Sequence, residues 1–211
     1  MAAGGTLTAP LYLLRHGETA WNAERRVQGT RDSALTERGR AQATAMGRAL
    51  RKELAREQRP TVFLRSPLGR VRETALLVGR ELGLAPDEWR DDPRLAELSY
   101  GEWEGLTWPE IEAERRNAYL DWKANPEAFV MPGGEPHGDL HRRASEILAE
   151  IAASGRRTVV VGHGVSGAVL RGIHLGIDAR RTIALEKPQD AFFRLFACAE
   201  TRIEVALGPS G

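Results

Sequence analysis

The chain is poor in the features that most often announce a protein's role. One cysteine, Cys198, in 211 residues excludes an internal disulfide framework and suits a reducing compartment. Net charge is nearly absent. Thirty basic against 29 acidic residues leave +1, so the chain carries no global attraction for a polyanion such as nucleic acid. No apolar run approaches the roughly 20 residues of a membrane-spanning helix. The opening Met1-Ala2-Ala3-Gly4-Gly5-Thr6 has neither the basic nor the apolar region of a secretory signal. Internal repeats, low-complexity tracts and long linkers are missing too. The expectation is a soluble, cytosolic protein that uses neither membrane nor nucleic acid as a partner, and whose affinity for any charged ligand is local.

What is present is ordinary globular material. Hydrophobic residues make up 42% and charged residues 28%, over a length that can bury a core as one domain, 1–211. Leu11-Tyr12-Leu13-Leu14, Thr61-Val62-Phe63-Leu64 and Thr158-Val159-Val160-Val161 read as short buried strands. Helical stripes lie between them. One carries Ala43, Met46, Leu50 and Leu54, with Thr36 as N-cap and Pro60 as terminator; another carries Val71, Ala75, Val78 and Leu82. A third carries Leu140, Ala144, Ile147 and Ile151, closed by Gly155. The alternation implies a three-layer α/β/α sandwich with a mainly parallel sheet. Phe192–Ala197 and Thr201–Leu207 read as an antiparallel edge hairpin. From about 98 to 137 the pattern breaks into a segment with Trp103, Trp108, Trp122, several prolines and Gly133-Gly134, a candidate lid; the competing reading is a helical excursion whose tryptophans merely pack.

Two strands deliver a histidine to the place where ligands gather in open α/β sheets, outside the carboxyl ends of the strands. Leu11–Leu14 runs into Arg15-His16-Gly17-Glu18-Thr19-Ala20-Trp21-Asn22, and Thr158–Val161 into Gly162-His163-Gly164. A neutral imidazole can attack phosphorus, and a cation such as Arg15 favours that neutral form. Phosphoryl transfer then needs clamps for the equatorial oxygens, which a guanidinium supplies two at a time. In Arg65-Ser66-Pro67-Leu68-Gly69-Arg70 the better clamp is Arg70, in the first turn of a helix. A proton donor for the leaving oxygen is offered by Glu97, Glu102 or Glu104, which spacing alone does not separate.

Taken together these residues resemble the histidine phosphatase superfamily, also called phosphoglycerate mutase-like. The resemblance is carried by Arg15-His16-Gly17-Glu18-Thr19 with Trp21-Asn22, by Val27-Gln28-Gly29, by Leu35-Thr36-Glu37-Arg38-Gly39, by Ser66-Pro67-Leu68-Gly69-Arg70 with Glu73-Thr74-Ala75, and by Gly162-His163-Gly164. It spans Leu11 to about Gly172. It implies His16 as the phosphorylated nucleophile, Arg15, Arg70 and His163 as the phosphate pocket with Asn22 contributing, and Glu97 as acid and base. Gln28 and Gly29 fall where family members contact substrate. No metal and no cofactor is implied. The implied activity is a metal-independent phosphomonoesterase acting on a small-molecule phosphomonoester, with a phosphoglycerate mutase-type transfer as the alternative. Tyr100-Gly101-Glu102-Trp103-Glu104-Gly105 is similar to the phosphatase branch. The modest insert and the tail Leu207–Gly211 are expected to leave a phosphoenzyme open to water. Oligomeric state is open, a homodimer being one candidate. Glu135-Pro136 departs from the Glu-Ser that follows paired glycines in many relatives, so Glu135 is left out of the site.

Rival readings carry less. Gly162-His163-Gly164-Val165-Ser166-Gly167 spells a dinucleotide fingerprint, with Glu186 as the ribose contact, but only 44 residues follow it. His137 and His141 stand four apart without the glutamate of a zinc motif, because Gly138 takes its place. His174 reads as a hydrogen-bonded core residue. A non-catalytic phosphate-binding module would not need His16, Glu97 and His163 together.

Overall fold

A computed structural model describes residues 6–57 and 59–207. The opening residues read against a secretory signal, 1–5, and the end of the tail, 208–211, lie outside the described residues. Six strands form one sheet. β1 (Leu7–Arg15), β2 (Thr61–Arg65), β3 (Trp89–Asp91), β4 (Arg157–Gly162), β5 (Ala191–Ala197) and β6 (Ala199–Glu204) stand in the order β3-β2-β4-β1-β5-β6. The first four in that order are parallel, and β5 and β6 pair antiparallel along one edge.

Alternation along each strand sorts the core into two layers. In β1, Tyr12 and Leu14 join Val159 and Val161 of β4 against α2 (Glu37–Ala55), which follows the short α1 (Ala20–Ala23), and α3 (Gly69–Leu82). Leu11 and Leu13 join Val160 on the other face, against α6 (His137–Ser154) and α7 (Val165–Leu175). Strands covered on both faces have no polar side to show, which is why the central ones read as unbroken apolar runs. Thr36 Oγ1 caps α2 by accepting from Gly39 N at 3.0 Å, and Gly155, at φ 58°, closes α6 in the left-handed conformation.

Three details depart from the sequence reading. α2 stops at Ala55, before Pro60, where Arg157 gathers carbonyls from the side: it donates to Leu54 O in the last turn at 3.1 Å, and past the helix to Glu57 O at 2.7 Å and Arg59 O at 2.8 Å. β6 covers Ala199–Glu204 instead of 201–207, since the hairpin turns tightly at Ala197, φ 54°, and pairs Phe196 with Ala199 at once. β3 was not foreseen; three residues with a single buried one give no period to read.

The insert holds α4 (Trp108–Glu114) and α5 (Arg116–Ala124). Its tryptophans do more than one thing. Trp103 is fully buried and stacks on Phe129, ring centroids 5.5 Å apart, while Trp108 stacks on Trp122 at 4.4 Å. Trp108 also reaches the rim where the histidines emerge. Among the described residues no helix is long and apolar enough to cross a membrane.

Candidate active site

Three neighbouring parallel strands end side by side at this rim. Arg15 of β1 is in register with Gly162 of β4, and His16 N donates to Gly162 O at 3.0 Å. Ser66, just past β2, donates from its backbone to Val161 O at 3.1 Å. That register brings His16 and His163 to a centroid separation of 5.4 Å, although 147 residues of chain separate them. After His16 the chain must turn sharply against α2. A Cβ on Gly17 would sit 2.2 Å from Gly39 O, and one on Gly39 would sit 2.0 Å from Glu18 O, so both positions need glycine for backbone to lie on backbone. Thr74 Oγ1 accepts from Gly17 N at 3.2 Å and donates to Arg70 O at 2.7 Å, which gives the Glu73-Thr74-Ala75 block a structural purpose.

The tautomer of His16 follows from its partners. Nδ1 lies 2.8 Å from Gly17 O, which can only accept, so Nδ1 carries the proton. Nε2 lies 3.3 Å from Arg70 Nε, which can only donate, so Nε2 presents its lone pair. The ring is buried and is held well below the usual histidine pKa, first by burial and then by Arg15 and Arg70. Burial therefore outweighs the neighbouring cation that the sequence suggested. His163 is depressed in the same way, by burial, then Arg70 and His16. Its Nε2 is hydrogen-bonded to Ser66 Oγ at 2.7 Å.

Arg70 is buried at the start of α3 and works as a hub. It donates to Gly29 O at 2.7 Å, Arg31 O at 2.7 Å and Asp32 Oδ1 at 3.0 Å, besides the His16 contact. Asp32 in turn accepts from Gly69 N at 2.6 Å, capping a helix whose own N-cap, Leu68, has no side-chain oxygen. Gly29, at φ 56°, has Glu104 Oε1 only 2.0 Å from where a Cβ would be. Its place beside the pocket is thus fixed by backbone needs. Gln28 also lines the pocket, with its amide NH2 turned to Thr19 Oγ1.

The three glutamates separate cleanly. Glu102 is exposed and pairs with Arg115 at 2.9 Å. Glu104 is buried and accepts from the backbone of Thr30 at 2.9 Å, Arg31 at 3.2 Å and Tyr100 at 3.0 Å, stapling the 28–31 loop. Only Glu97 faces the pocket. Its Oε1 accepts from Leu98 N at 3.0 Å and Ser166 N at 2.8 Å; Oε2 accepts from Val165 N alone, at 2.9 Å. With two acceptor positions per oxygen, Oε2 is the one left free to exchange a proton. These amides open α7, so the positions a dinucleotide phosphate would require are taken by Glu97.

Several contributors gave no sequence signal. Lys187 lines the pocket, its carbonyl accepts from Arg15 Nη1, and its ammonium is held below the usual lysine pKa by burial and Arg15. Gln189 Nε2 bridges His16 O and Asn22 Oδ1, both at 3.1 Å. Asn22 Oδ1 also accepts from Thr19 N at 3.2 Å, and its NH2 end finds no acceptor among the described residues. Arg143 donates to the carbonyls of Arg94 at 2.8 Å, Ala96 at 2.6 Å and Glu97 at 3.1 Å, steadied by Glu135 at 2.7 Å. Glu135 is therefore a brace for the Glu97 segment, outside the pocket. His137 and His141 lie apart from the rim, along a lateral groove. His174 is partly exposed and hydrogen-bonded to Ala199 O at 3.0 Å, so it is satisfied without being a core residue.

The pocket encloses about 150 Å³. Arg15, Arg70 and Lys187 face one carboxylate, Glu97, an excess of two positive charges in a chain whose total is +1. Among the described residues Arg15 Nε and His163 Nδ1 are buried without a hydrogen-bond partner. An unsatisfied buried polar atom costs about 1–3 kcal/mol, a cost that a bound anion at this pocket would relieve for Arg15 Nε.

Residues 11–202 match the family model described as histidine phosphatase superfamily (branch 1). The chain is 36% identical over 170 residues to a metal-independent phosphoserine phosphatase of Arabidopsis thaliana, covering 79% of this chain and 68% of that one. It is 33% identical over 204 residues to a probable phosphoglycerate mutase GpmB of Erwinia tasmaniensis, covering 94% and 86%. The structure of a mycobacterial glucosyl-3-phosphoglycerate phosphatase in complex with VO3 is similar at a TM-score of 0.75 and 32% identity, over 88% of this chain and 90% of the other.

Proposed function

The chain belongs to the histidine phosphatase superfamily, and on that premise we propose that it hydrolyses phosphomonoesters through a phosphohistidine formed on His16. The observation that carries this reading is the His16 ring. It is neutral, its proton is fixed on Nδ1 by Gly17 O, and Nε2 offers a lone pair beside a buried guanidinium. In the first step the Nε2–P bond forms and the P–O bond to the leaving alcohol breaks, while Glu97 passes a proton from Oε2 to the departing oxygen. Arg15, Arg70 and His163 stabilise the equatorial oxygens, and the unclaimed NH2 of Asn22 adds a donor. Gln28 and Gly29 border the alcohol side. In the second step water attacks phosphorus, its proton passes to Glu97, and the P–N bond breaks. A single exposed cysteine supports a reducing, cytoplasmic setting.

A second reading, return of the phosphoryl group to another substrate oxygen, draws support from the likeness to the GpmB chain. One experiment separates the two. Phosphate release from a phosphomonoester panel with chelator present, run beside 3-phosphoglycerate isomerisation, should show release dominating. Acid-labile label should be trapped on His16, and His16→Ala should lose both label and turnover, the latter by at least about 10⁴-fold. Turnover that survives this substitution sinks the phosphohistidine; isomerisation without release transfers the case to the mutase.

A further inference from the structure

The pocket does not end where a phosphate would. Tyr100, Trp108, Val165 and Lys187 line it and also line a second hollow of about 370 Å³. That hollow continues past His137, Val169 and Ile183 into a third of about 430 Å³. The groove so formed runs between the insert and the α7–α8 corner, where α8 is Ala179–Ile183.

Its walls are apolar. On one side stand the stacked rings of Trp108 and Trp122; on the other stand Val165, Ala168, Val169 and Ile183. Polar side chains are few in the nearer hollow: Thr182 Oγ1 donates to Asp178 O at 2.8 Å, while the Tyr100 hydroxyl and the His137 ring make no hydrogen bond among the described residues. The Lys187 ammonium, the one Lys, Arg, Asp or Glu side chain lining the nearer hollow, donates to Ile183 O at 2.8 Å and Leu185 O at 2.9 Å. Burial holds His137 below the usual histidine pKa, which favours its neutral form. At the far end come two carboxylates, Glu127 and Asp178, which would repel a second anion.

We propose that this groove is the subsite for the alcohol half of the ester, and that the preferred substrate is the monophosphate of an elongated, apolar, uncharged alcohol. The inference rests on the phosphatase reading above. Continuity of the groove with the phosphate pocket means that an ester oxygen held near Glu97 sends its carbon chain along Trp108. An alcohol bearing a carboxylate or second phosphate would find along the groove only the Lys187 ammonium, two of whose three N–H groups already serve backbone carbonyls, and its distal end would face Glu127 and Asp178.

Each methylene taken from water against such walls should raise kcat/KM up to about fourfold. The test is a homologous series of methyl, butyl, hexyl and octyl phosphate, assayed beside 3-phosphoglycerate and phosphoserine. A rise of at least about 10² from methyl to octyl is expected, with octyl phosphate ahead of both charged esters. A flat series, or preference for a charged ester, overturns the groove and leaves the phosphatase intact. In Ile183→Glu the octyl-to-methyl ratio should fall about tenfold or more, and an unchanged ratio also overturns it. Binding gives a readout that needs neither turnover nor a variant. Octylphosphonate should bind the unaltered protein far more tightly than methylphosphonate and shift its tryptophan emission; equal affinities overturn the groove even if no ester is hydrolysed.

Discussion

The sheet rim and the groove beside it share four residues and are built on opposite plans. At the rim nearly every functional side chain is held by directed bonds: two on His16, four on Arg70, three on Glu97. In the groove the lining is mostly apolar side chains that make no directed bonds, with Trp108 stacked on Trp122 facing aliphatic groups across the hollow. Hydrogen bonds specify position to a fraction of an ångström and are costly to break, whereas apolar contacts accept substitution of similar volume. The difference teaches where each property resides: bond-making is rigid and prearranged, while choice of substrate is carried by surfaces that can be rewritten.

The comparison is tested hardest at Glu97. Glu97→Gln keeps the size and one acceptor but cannot deliver a proton, so kcat for an alkyl phosphate should fall about 10²–10⁴-fold. The deficit should shrink sharply for p-nitrophenyl phosphate, whose leaving group needs little protonation; an equal deficit on both esters would mean Glu97 only braces α7. Next in size is Arg70→Lys. It preserves charge while losing the fork that reaches Gly29, Arg31 and Asp32, and a drop of about 10² in kcat is expected. Near-normal turnover would show that a point charge suffices and that the rim is less rigid than drawn.

A third effect is on stability. Both rim imidazoles lie well below 6.5, so as pH falls through that value the unfolded chain binds protons that the folded chain refuses. Stability should therefore be lost on acidification, by up to about 1.4 kcal/mol per pH unit for each ring. Thermal melts from about pH 7.5 down to about pH 5 should show a fall in Tm that is smaller in His163→Asn. The smallest change is expected in the insert. Trp103 is fully buried with its Nε1 unpaired among the described residues, so Trp103→Phe trades lost packing against removal of an unsatisfied donor. A net cost of about 1 kcal/mol is expected by chemical denaturation, and a loss several times larger would place the insert with the rim.

What could be read from the sequence follows the same division. His16 and His163 were legible because each ends an apolar run, and buried parallel strands announce both themselves and their exits. Arg70 was legible from its place one residue inside a helix. Asp32, Lys187, Gln189 and Arg143 were not. Each acts on a partner far along the chain, Asp32 on Gly69 and Arg70, Arg143 on Ala96 and Glu97, and no local period marks a residue by its distant partner. Glu97 was picked out by resemblance only; its amide cradle depends on α7 arriving from the other end of the sheet. Trp108 could not be told from Trp103 and Trp122, because side-chain direction in an irregular insert is set by packing rather than spacing.

The register of β1 against β4 has a consequence for how the molecule comes into being. Leu11 pairs with Thr158, a separation of 158 minus 11, or 147 residues, so the strand that leads into His16 waits for a long stretch of chain before one of its neighbours exists. Its other neighbour, β5, comes later still. Pairings so distant close late and slowly. A ribosome must therefore pass Ala197 before β1 has both of its neighbours, and recovered turnover after dilution from denaturant would time the last step of assembly rather than the first.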